Sequence, residues 1–220
     1  MNLFVVFDPV SFFGLSLNWF IMIMIFMFIP MKYYLMGSYN IMSFKMIILS
    51  MFKMFKEVSN PNYMGLVILS VMVFIYLALS NLIGLFPFIF TSSAHLLMTL
   101  GLGMVFWLSF FIMGWLKNFK NSAAHLVPEG SPMLLAPLMV MIESISHLIR
   151  PFTLSVRLAA NMMAGHLIMG LLSSISLISL FGFLSSLMMQ SILLVLEFGV
   201  AIIQGFVFSI LLLLYALEYY

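Results

Sequence analysis

Five long, predominantly apolar stretches constrain what this chain can fold into more than any other feature of its sequence. A helix that crosses a lipid bilayer needs about 20 consecutive apolar residues. The stretches occupy residues 10–31, 63–90, 95–116, 133–170 and 177–217. None of them alternates polar and apolar residues at the length of a strand, which excludes a transmembrane β-barrel. The sequence therefore predicts an all-α polytopic membrane protein with about five membrane-embedded helices in one domain, residues 1–220.

Composition supports this class and excludes several others. Only 6% of the 220 residues are charged and 65% are hydrophobic, whereas a soluble domain carries about 25% charged residues. A net charge of +2 is too small to indicate a nucleic-acid partner. Cysteine is absent, so no disulfide framework is expected. The spacing of the histidines predicts no metal site, and no other cofactor is expected.

The N-terminal segment and the high content of Met and Phe indicate the compartment in which the protein is made. The segment "MNLFVVFDPVSFFG" has no basic region, so neither a secretory signal nor an arginine-rich transit peptide is predicted. The chain contains 23 Met and 24 Phe, which is typical of an AT-rich genome that translates additional codons as methionine, as mitochondria do. A hydrophobic protein made inside the organelle needs no import signal. We therefore expect an organelle-encoded, multi-pass protein of the mitochondrial inner membrane.

The lysines predict the orientation. They lie between the first two stretches and after the third: Lys32, Lys45, Lys53, Lys56, Lys117 and Lys120. In the first of these connections, residues 40–58 mix lysines with Met, Ile and Phe and are predicted to form an interfacial amphipathic helix. The positive-inside rule places the lysines in the matrix. The N-terminus then faces the intermembrane space, and five crossings bring the C-terminus to the matrix.

The fourth stretch carries a polar face. At 100° per residue, six residues form one continuous stripe that is polar at five positions: Glu143, His147, Arg150, Leu154, Arg157 and Asn161. Small residues, Thr153, Ala160 and Ala164, share the face of Arg157. His166 points to roughly the opposite face, about 13 Å further along the axis. Pro151 is expected to kink this helix without ending it.

The fifth stretch repeats the arrangement. Gln190, Glu197 and Gln204 recur every seven residues and therefore share a face. A charged side chain at the centre of a bilayer costs about 2.5–3.5 kcal/mol on insertion scales. The arginines and glutamates of the last two stretches therefore need partners, water or a function.

Structural interpretations of these residues remain open at this point. Arg157 could form an ion pair with Glu197 or Glu143, and His166 could be a histidine near a helix end whose hydrogen bonds are satisfied. In either case the polar residues would stabilise the packing of the last two helices, and no transport would follow from them.

Three further residues are expected to be structural or exposed. Arg150 is expected to pair with Glu143 or His147. Glu218, close to the C-terminus, is expected to be a solvated charge, and His95 is expected on the surface of a loop. His147 could be either structural or functional.

The motifs of the chain resemble those of subunit a of the rotary F-type ATP synthases, the mitochondrial form in particular. "RPFTLSVRLAANMMAGH" resembles the family motif in which Arg-Pro precedes Ser, Arg-Leu and an Asn four residues on, with Ala-Gly before a titratable residue. "SNLIGLFPF" resembles the Asn-containing motif at the end of the second spanning segment. "HLVPEGSP" and "EFGVAIIQGFVF" resemble the loop before the long hairpin and its final helix.

The resemblance implies a stator subunit beside a ring of c subunits, each with one membrane-embedded carboxylate. The last two stretches would form a long, tilted hairpin against this ring. Arg157 would face the ring, favour the ionised form of the ring carboxylate and block direct passage of protons. Two offset aqueous half-channels would load and unload the ring, so that a proton crosses only after nearly a full rotation.

The resemblance also implies roles for individual residues. During synthesis, the inlet half-channel would contain His166, Glu197 and Asn81, and the outlet half-channel would contain Glu143. Gln204 and Asn161 would lie near Arg157, and His147 lies on the same helix as Glu143. Since no nucleotide-binding motif is present, the ATP chemistry would lie on other subunits, and the expected partners are the c-ring, other Fo stator subunits, lipid and protons.

Two alternatives belong to other classes of protein. A secondary transporter would have its own substrate site, but such folds often contain internal repeats, and no convincing repeat relates the halves of this chain. A structural subunit of a respiratory complex would explain the hydrophobicity but not the polar stripes.

Overall fold

A computed structural model describes residues 7–10, 14, 16–30, 38–59, 63–86, 89–117, 119–127, 135–176 and 180–219. All regular structure in these ranges is helical. In chain order the α-helices are α1 (Ile21–Met24), α2 (Tyr39–Val58), α3 (Met64–Gly84), α4 (Leu96–Lys117), α5 (Phe119–His125), α6 (Ala136–Ile175) and α7 (Leu180–Tyr219). The predicted all-α class is confirmed.

Four of the helices are long and apolar enough to cross a membrane: Met64–Gly84, Leu96–Lys117, Ala136–Ile175 and Phe181–Glu218. The chain is therefore a multi-pass membrane protein. Helices α6 and α7 have 40 residues each and are about 60 Å long, twice the thickness of a hydrocarbon core. Helix α6 continues through Pro151 without a break, because neighbouring helices can satisfy the backbone group that a proline releases.

The first apolar stretch, predicted at residues 10–31, is helical only from residue 17 to residue 28. A short α-helix is flanked there by 3₁₀ turns, Leu17–Phe20 and Ile25–Phe28. This run is about 20 Å long, shorter than a hydrocarbon core, and it packs on α3 through Phe26 and Tyr76, whose ring centroids lie 6.0 Å apart. Residues 11–13, 15 and 31 lie outside the described residues, and a fifth crossing stays a prediction.

Helix α2 matches the predicted amphipathic segment to within one residue at its start. One apolar side chain, Phe55, is fully buried and stacks on Phe206 of α7, with centroids 5.8 Å apart. The three lysines of α2 are exposed, while one face of the helix packs against α3 and α7 through Phe44, Ile48, Met51, Phe52 and Phe55. The sequence pattern of α2 thus follows from one apolar face.

Spanning helices that are consecutive in the chain run antiparallel, which defines two ends of the bundle. The inner end contains Lys117 and the C-terminus of α7, and the outer end contains the C-termini of α3 and α6. Along α3 and α7, Gly205 allows the backbones to approach closely, since a Cβ at this position would lie 3.3 Å from the nitrogen of Ala78. The core lies among α3, α4, α6 and α7.

Residues 91–94 of the connection between α3 and α4 are buried, and His95 is half-buried. Thr91 is fully buried, and Ser92 and Ser93 are each only 5% exposed. His95 packs against the rings of Trp19 and Phe90, at centroid distances of 5.2 and 5.0 Å. The histidine predicted on the surface is therefore only partly exposed, because this turn, here called the 91–95 turn, folds inward among α3, α4 and α6.

Candidate functional site

The polar residues of α6 and α7 lie in three groups along the hairpin. The outermost group is the pair of His166 and Glu197, whose Nε2 and Oε1 atoms are 3.9 Å apart. Both side chains are shielded, with 13% and 7% exposure. Neither carboxylate oxygen of Glu197, nor Nε2 of His166, has a hydrogen-bond partner among the described residues. This pair is a carboxylate and an imidazole held together away from solvent.

Gly165 makes this pair possible. A Cβ on Gly165 would overlap with Oε1 of Glu197 and would lie 2.6 Å from its Cδ. Real Cβ atoms do not approach other atoms so closely, so a side chain at this position would displace the carboxylate. The absence of a side chain at Gly165 therefore leaves the space that the Glu197 carboxylate occupies.

The middle group joins α6 to α7 and α7 to α3 through amides. Asn161 donates from Nδ2 to Oε1 of Gln204 at 3.3 Å. One turn outward on α7, the carbonyl of Ala201 accepts from Nδ2 of Asn81 at 3.3 Å. Asn81 is fully buried and Gln204 is 7% exposed. These bonds align the hairpin with α3.

Arg157 lies next to this middle group but on the outside of the bundle. Its side chain is exposed, as are those of Thr153 and Ala160 on the same face. Within the described part of the chain it forms no ion pair or hydrogen bond, so neither Glu143 nor Glu197 is its partner. The ion-pair interpretation of Arg157 therefore has no support in this structure.

The inner group is a connected set of charges. Arg150 donates from Nη1 to Oε2 of Glu218 at 2.6 Å and from Nη2 to Oε1 of Glu143 at 3.5 Å. The Nε2 atom of His147 lies 3.6 Å from the same Glu143 oxygen. The Arg150 guanidinium also lies 5.5 Å from the centroid of the Tyr215 ring. The expected pairing of Arg150 with Glu143 is present.

Glu218 is exposed, as its position near the C-terminus indicated, but it also has an ion-pair partner that the sequence did not indicate. It closes the inner group because the antiparallel register of α6 and α7 brings it to Arg150, 68 residues earlier. Glu218 and His147 also line a cavity of about 350 Å³ between α4, α5 and the hairpin, which is large enough for several water molecules.

Arg157 lies between the outer and inner groups. It is nine residues from His166 and ten from His147 along α6, or about 13 and 15 Å. In the ranges described here, no three His, Asp or Glu residues could hold a metal ion together. The hairpin thus carries two separate sets of titratable residues, with one exposed cation between their levels.

Comparisons with known proteins agree with the motifs. Residues 13–216 match the profile of the ATP synthase A chain family. The chain belongs to this family. It is 45% identical to ATP synthase subunit a of Drosophila melanogaster over 99% of this chain and 98% of the relative. The corresponding identities are 45% for Aedes aegypti and 43% for Anopheles gambiae, each also over 99% of this chain and 98% of the relative.

Family membership makes the chain a membrane-embedded component of ATP synthase, in its Fo sector. The structure brings together several residues that the sequence marked separately, namely His166 with Glu197, Asn161 with Gln204, and Glu143 with His147. It does not bring Asn81 into direct hydrogen bonding with Glu197, and it leaves Arg157 apart from all of them.

The sequence did not identify the contacts of two residues of the site, Gly165 and Glu218. Gly165 was visible only as part of a motif, and a glycine in an apolar helix has many packing roles. Glu218 had one available signal, its position as a carboxylate directly after the last apolar stretch. Neither signal specifies a contact, because both contacts depend on the register of two helices.

Proposed function

We propose that this chain is the proton-translocating stator subunit of the Fo sector of a mitochondrial ATP synthase. Protons would pass through two offset half-channels that load and unload the rotating c-ring, and Arg157 would separate the two. The observation that carries this proposal is the exposed Arg157 without an ion pair, between two spatially separate titratable groups.

An exposed arginine on a spanning helix needs a partner outside the chain. In lipid the guanidinium would cost at least about 2.5–3.5 kcal/mol, and the described residues offer it no anion. Its neighbours Thr153, Ala160 and Ala164 are small, so another helix can approach closely. A membrane-embedded carboxylate of the c-ring meets both requirements, because a planar guanidinium can bind it with two parallel hydrogen bonds.

The outer pair supports an inlet half-channel and the inner group supports an outlet. His166 and Glu197 are buried titratable side chains without competing partners, so they are available to exchange protons with water and with the ring. Glu143, next to His147 and close to a cavity, can accept protons that leave the ring on the inner side. Asn81, Asn161 and Gln204 lie between these levels and would orient side chains or water.

The distribution of lysines supports the orientation. Helix α2, with its three lysines, packs against the inner half of α7 through Phe55 and Phe206, and Lys117 ends α4 at the same end of the bundle. The inner end would therefore face the matrix, with the C-terminus of α7 there. ATP chemistry would then lie on other subunits, which the membership of the chain in the ATP synthase A chain family supports.

The decisive test uses Arg157 variants in the complete enzyme, reconstituted in vesicles. Arg157→Lys keeps a charge but loses the planar fork and can lose its proton when desolvated. We expect this variant to abolish coupled synthesis. We expect Arg157→Ala to abolish synthesis and also to open a passive proton leak, because no fixed charge then blocks the short path between the half-channels.

Proton flux and ATP synthesis are measured in the same vesicles. Lys53→Ala is the matched control, because it removes an exposed cation from α2, away from the hairpin. It should leave both quantities near the wild-type value. Near-normal synthesis by the alanine variant of Arg157 would refute the proposed role and return Arg157 to a structural interpretation.

A further inference from the structure

The buried polar atoms without partners are unevenly distributed. Within the described residues there are seven such side-chain atoms, and all belong to residues in the outer half of the bundle: Asn81, Thr91, Ser93, His95, His166 and, with two atoms, Glu197. A buried polar atom that makes no hydrogen bond costs about 1–3 kcal/mol. Protein interiors commonly avoid this cost with ordered water. Among the described residues, ordered water is therefore needed to complete the hydrogen bonds of buried side chains in the outer half, and not in the inner half.

A cavity at the 91–95 turn has the size and the chemistry to meet part of this demand. It measures about 20 Å³ and lies between α3, α4 and the turn, and a single water needs about 10–15 Å³ of such space. Five of its lining residues carry hydroxyl groups, namely Tyr76, Ser80, Ser92, Ser93 and Thr99.

The hydrogen bonds of these hydroxyls leave room for one water with three partners. Ser80 already donates to the carbonyl of Leu77 at 2.9 Å, and Thr99 donates to that of Leu96 at 3.2 Å. Each therefore still has lone pairs that can accept. Ser93, 5% exposed, has no partner for its hydroxyl. A water that accepts from Ser93 and donates to the other two makes three hydrogen bonds, the usual number for buried water.

Close contacts continue from this cavity toward the outer pair. Thr91, two residues before Ser93, packs on Gly84 so closely that a Cβ there would lie 3.1 Å from its Cγ2. Gly84 is on the same face of α3 as Asn81, one turn away. Asn81 in turn bonds the carbonyl of Ala201, one turn from Glu197 on α7.

The same point on α3 also contacts α6. The Cε atom of Met162 would lie 3.6 Å from a Cβ on Gly84, and His166 is one turn further out on the same face of α6. The 91–95 turn thus lies where three helices meet, and each member of the outer pair is one helical turn from a residue in this set of contacts, His166 from Met162 and Glu197 from Ala201. Irregular backbone at membrane depth is tolerated where it is buried in protein or lines a water-filled cavity; residues 91–94 are buried, and the turn lines a cavity large enough for one water.

We propose that the 91–95 turn, with Ser80 and Thr99, binds ordered water and forms the outer mouth of the inlet half-channel. The water held by Ser93 is the first of a chain that passes Thr91 and Asn81 and reaches Glu197. This inference rests on the proposed function, and it assigns proton access to the α3–α4 connection rather than to the loop between α6 and α7.

The first test is direct. A density map of the complete enzyme that resolves ordered water should show a peak within hydrogen-bonding distance of Ser93, Ser80 and Thr99. An unoccupied cavity in such a map would overturn the inference.

The second test is functional. Ser93→Val fills the cavity and removes the donor, and we expect proton-driven synthesis to fall about tenfold, the change that one lost hydrogen bond of ordinary strength produces. Thr99→Val, nearly equal in shape, should have a smaller effect in the same direction. Ser93→Ala keeps the test available if the valine variant fails to assemble. The matched control is Ser109→Ala on the exposed face of α4, whose hydroxyl also bonds a carbonyl of its own helix, that of Phe106.

Glu197→Gln, measured in parallel, distinguishes failure of the proposed channel mouth from failure of the proposed half-channel. If this variant is slow while both Ser93 variants assemble and synthesise ATP at the control rate, the mouth lies elsewhere and the half-channel stands. If the Glu197 variant is also normal, the proposed inlet itself is refuted.

Discussion

The inner and outer polar groups of the α6–α7 hairpin contain similar residues but are built in opposite ways. The inner group joins Glu143, His147, Arg150 and Glu218 through contacts of 2.6–3.6 Å, and its two glutamates are about one-third exposed. The outer group holds one carboxylate and one imidazole 3.9 Å apart, both largely buried, without other partners.

In the inner group the charges neutralise one another, whereas the outer pair has no further partners among the described residues. In the inner group Arg150 balances two carboxylates, and such partly exposed pairs contribute modestly to stability. In the outer group the buried carboxylate has no cation beside it, which is costly unless water, a proton or a moving partner satisfies it. We therefore expect substitutions in the outer group to lower ATP synthesis strongly, and some substitutions in the inner group to be tolerated.

Removing the outer carboxylate should have the largest effect. We expect Glu197→Gln to lower proton-driven synthesis by about a hundredfold, the lower range for loss of a proton-transferring group, while assembly stays largely intact because the amide has nearly the same shape. Synthesis is measured in vesicles under an imposed proton gradient, and assembly is measured on native gels. Glu57→Gln, an exposed acid on α2, is the control. Unchanged synthesis in the Glu197 variant would move the inlet elsewhere.

Displacing the same carboxylate without removing it should have an intermediate effect. In Gly165→Ala the new Cβ overlaps with the Glu197 side chain, so the carboxylate must leave the position in which it lies beside His166. A misplacement of this kind commonly lowers rates by about tenfold or more. The matched control is Gly101→Ala on α4, where a Cβ meets no atom within 4 Å. If both alanine variants behave alike, the close contact between Gly165 and Glu197 has no functional importance.

Breaking the inner ion pair should have the smallest effect. We expect Glu218→Gln and Arg150→Gln each to keep synthesis within about threefold of the wild type, since partly exposed pairs contribute about 1 kcal/mol or less. Because the two residues are partners, the double variant should lower the thermal midpoint of the complex no more than the more harmful single variant. Additive losses would show that Arg150 and Glu218 act independently, and a loss as large as that of Glu197→Gln would remove the contrast between the two groups.

Much of the fold follows from local patterns. The lengths of the apolar stretches predicted α3, α4, α6 and α7, and the lysine-interrupted segment predicted α2, because helix formation and amphipathicity depend on residues within a few turns. The first stretch was predicted less well, because apolar composition alone does not ensure a continuous helix: among its described residues, 17–28 are helical and Pro30 is not.

Periodicity within one helix also identified the candidate site. The spacing of Glu143, Arg157 and Asn161 on α6, and of Glu197 and Gln204 on α7, showed which residues share a face before any packing was known. It could not show that Arg157 is exposed whereas Glu197 is buried, since the same face can meet lipid, a partner or another helix.

The local periodicity of the chain thus specifies its helices and their polar faces, and folding specifies which faces meet. The contact of Arg150 with Glu218, the position of Glu197 over Gly165 and the burial of the 91–95 turn all join residues distant in sequence. Such contacts depend on the crossing angle and register of whole helices, which many side chains set together through packing. A shift of one turn along α7 would preserve every periodic pattern in the sequence and would still separate Glu218 from Arg150 and Glu197 from Gly165.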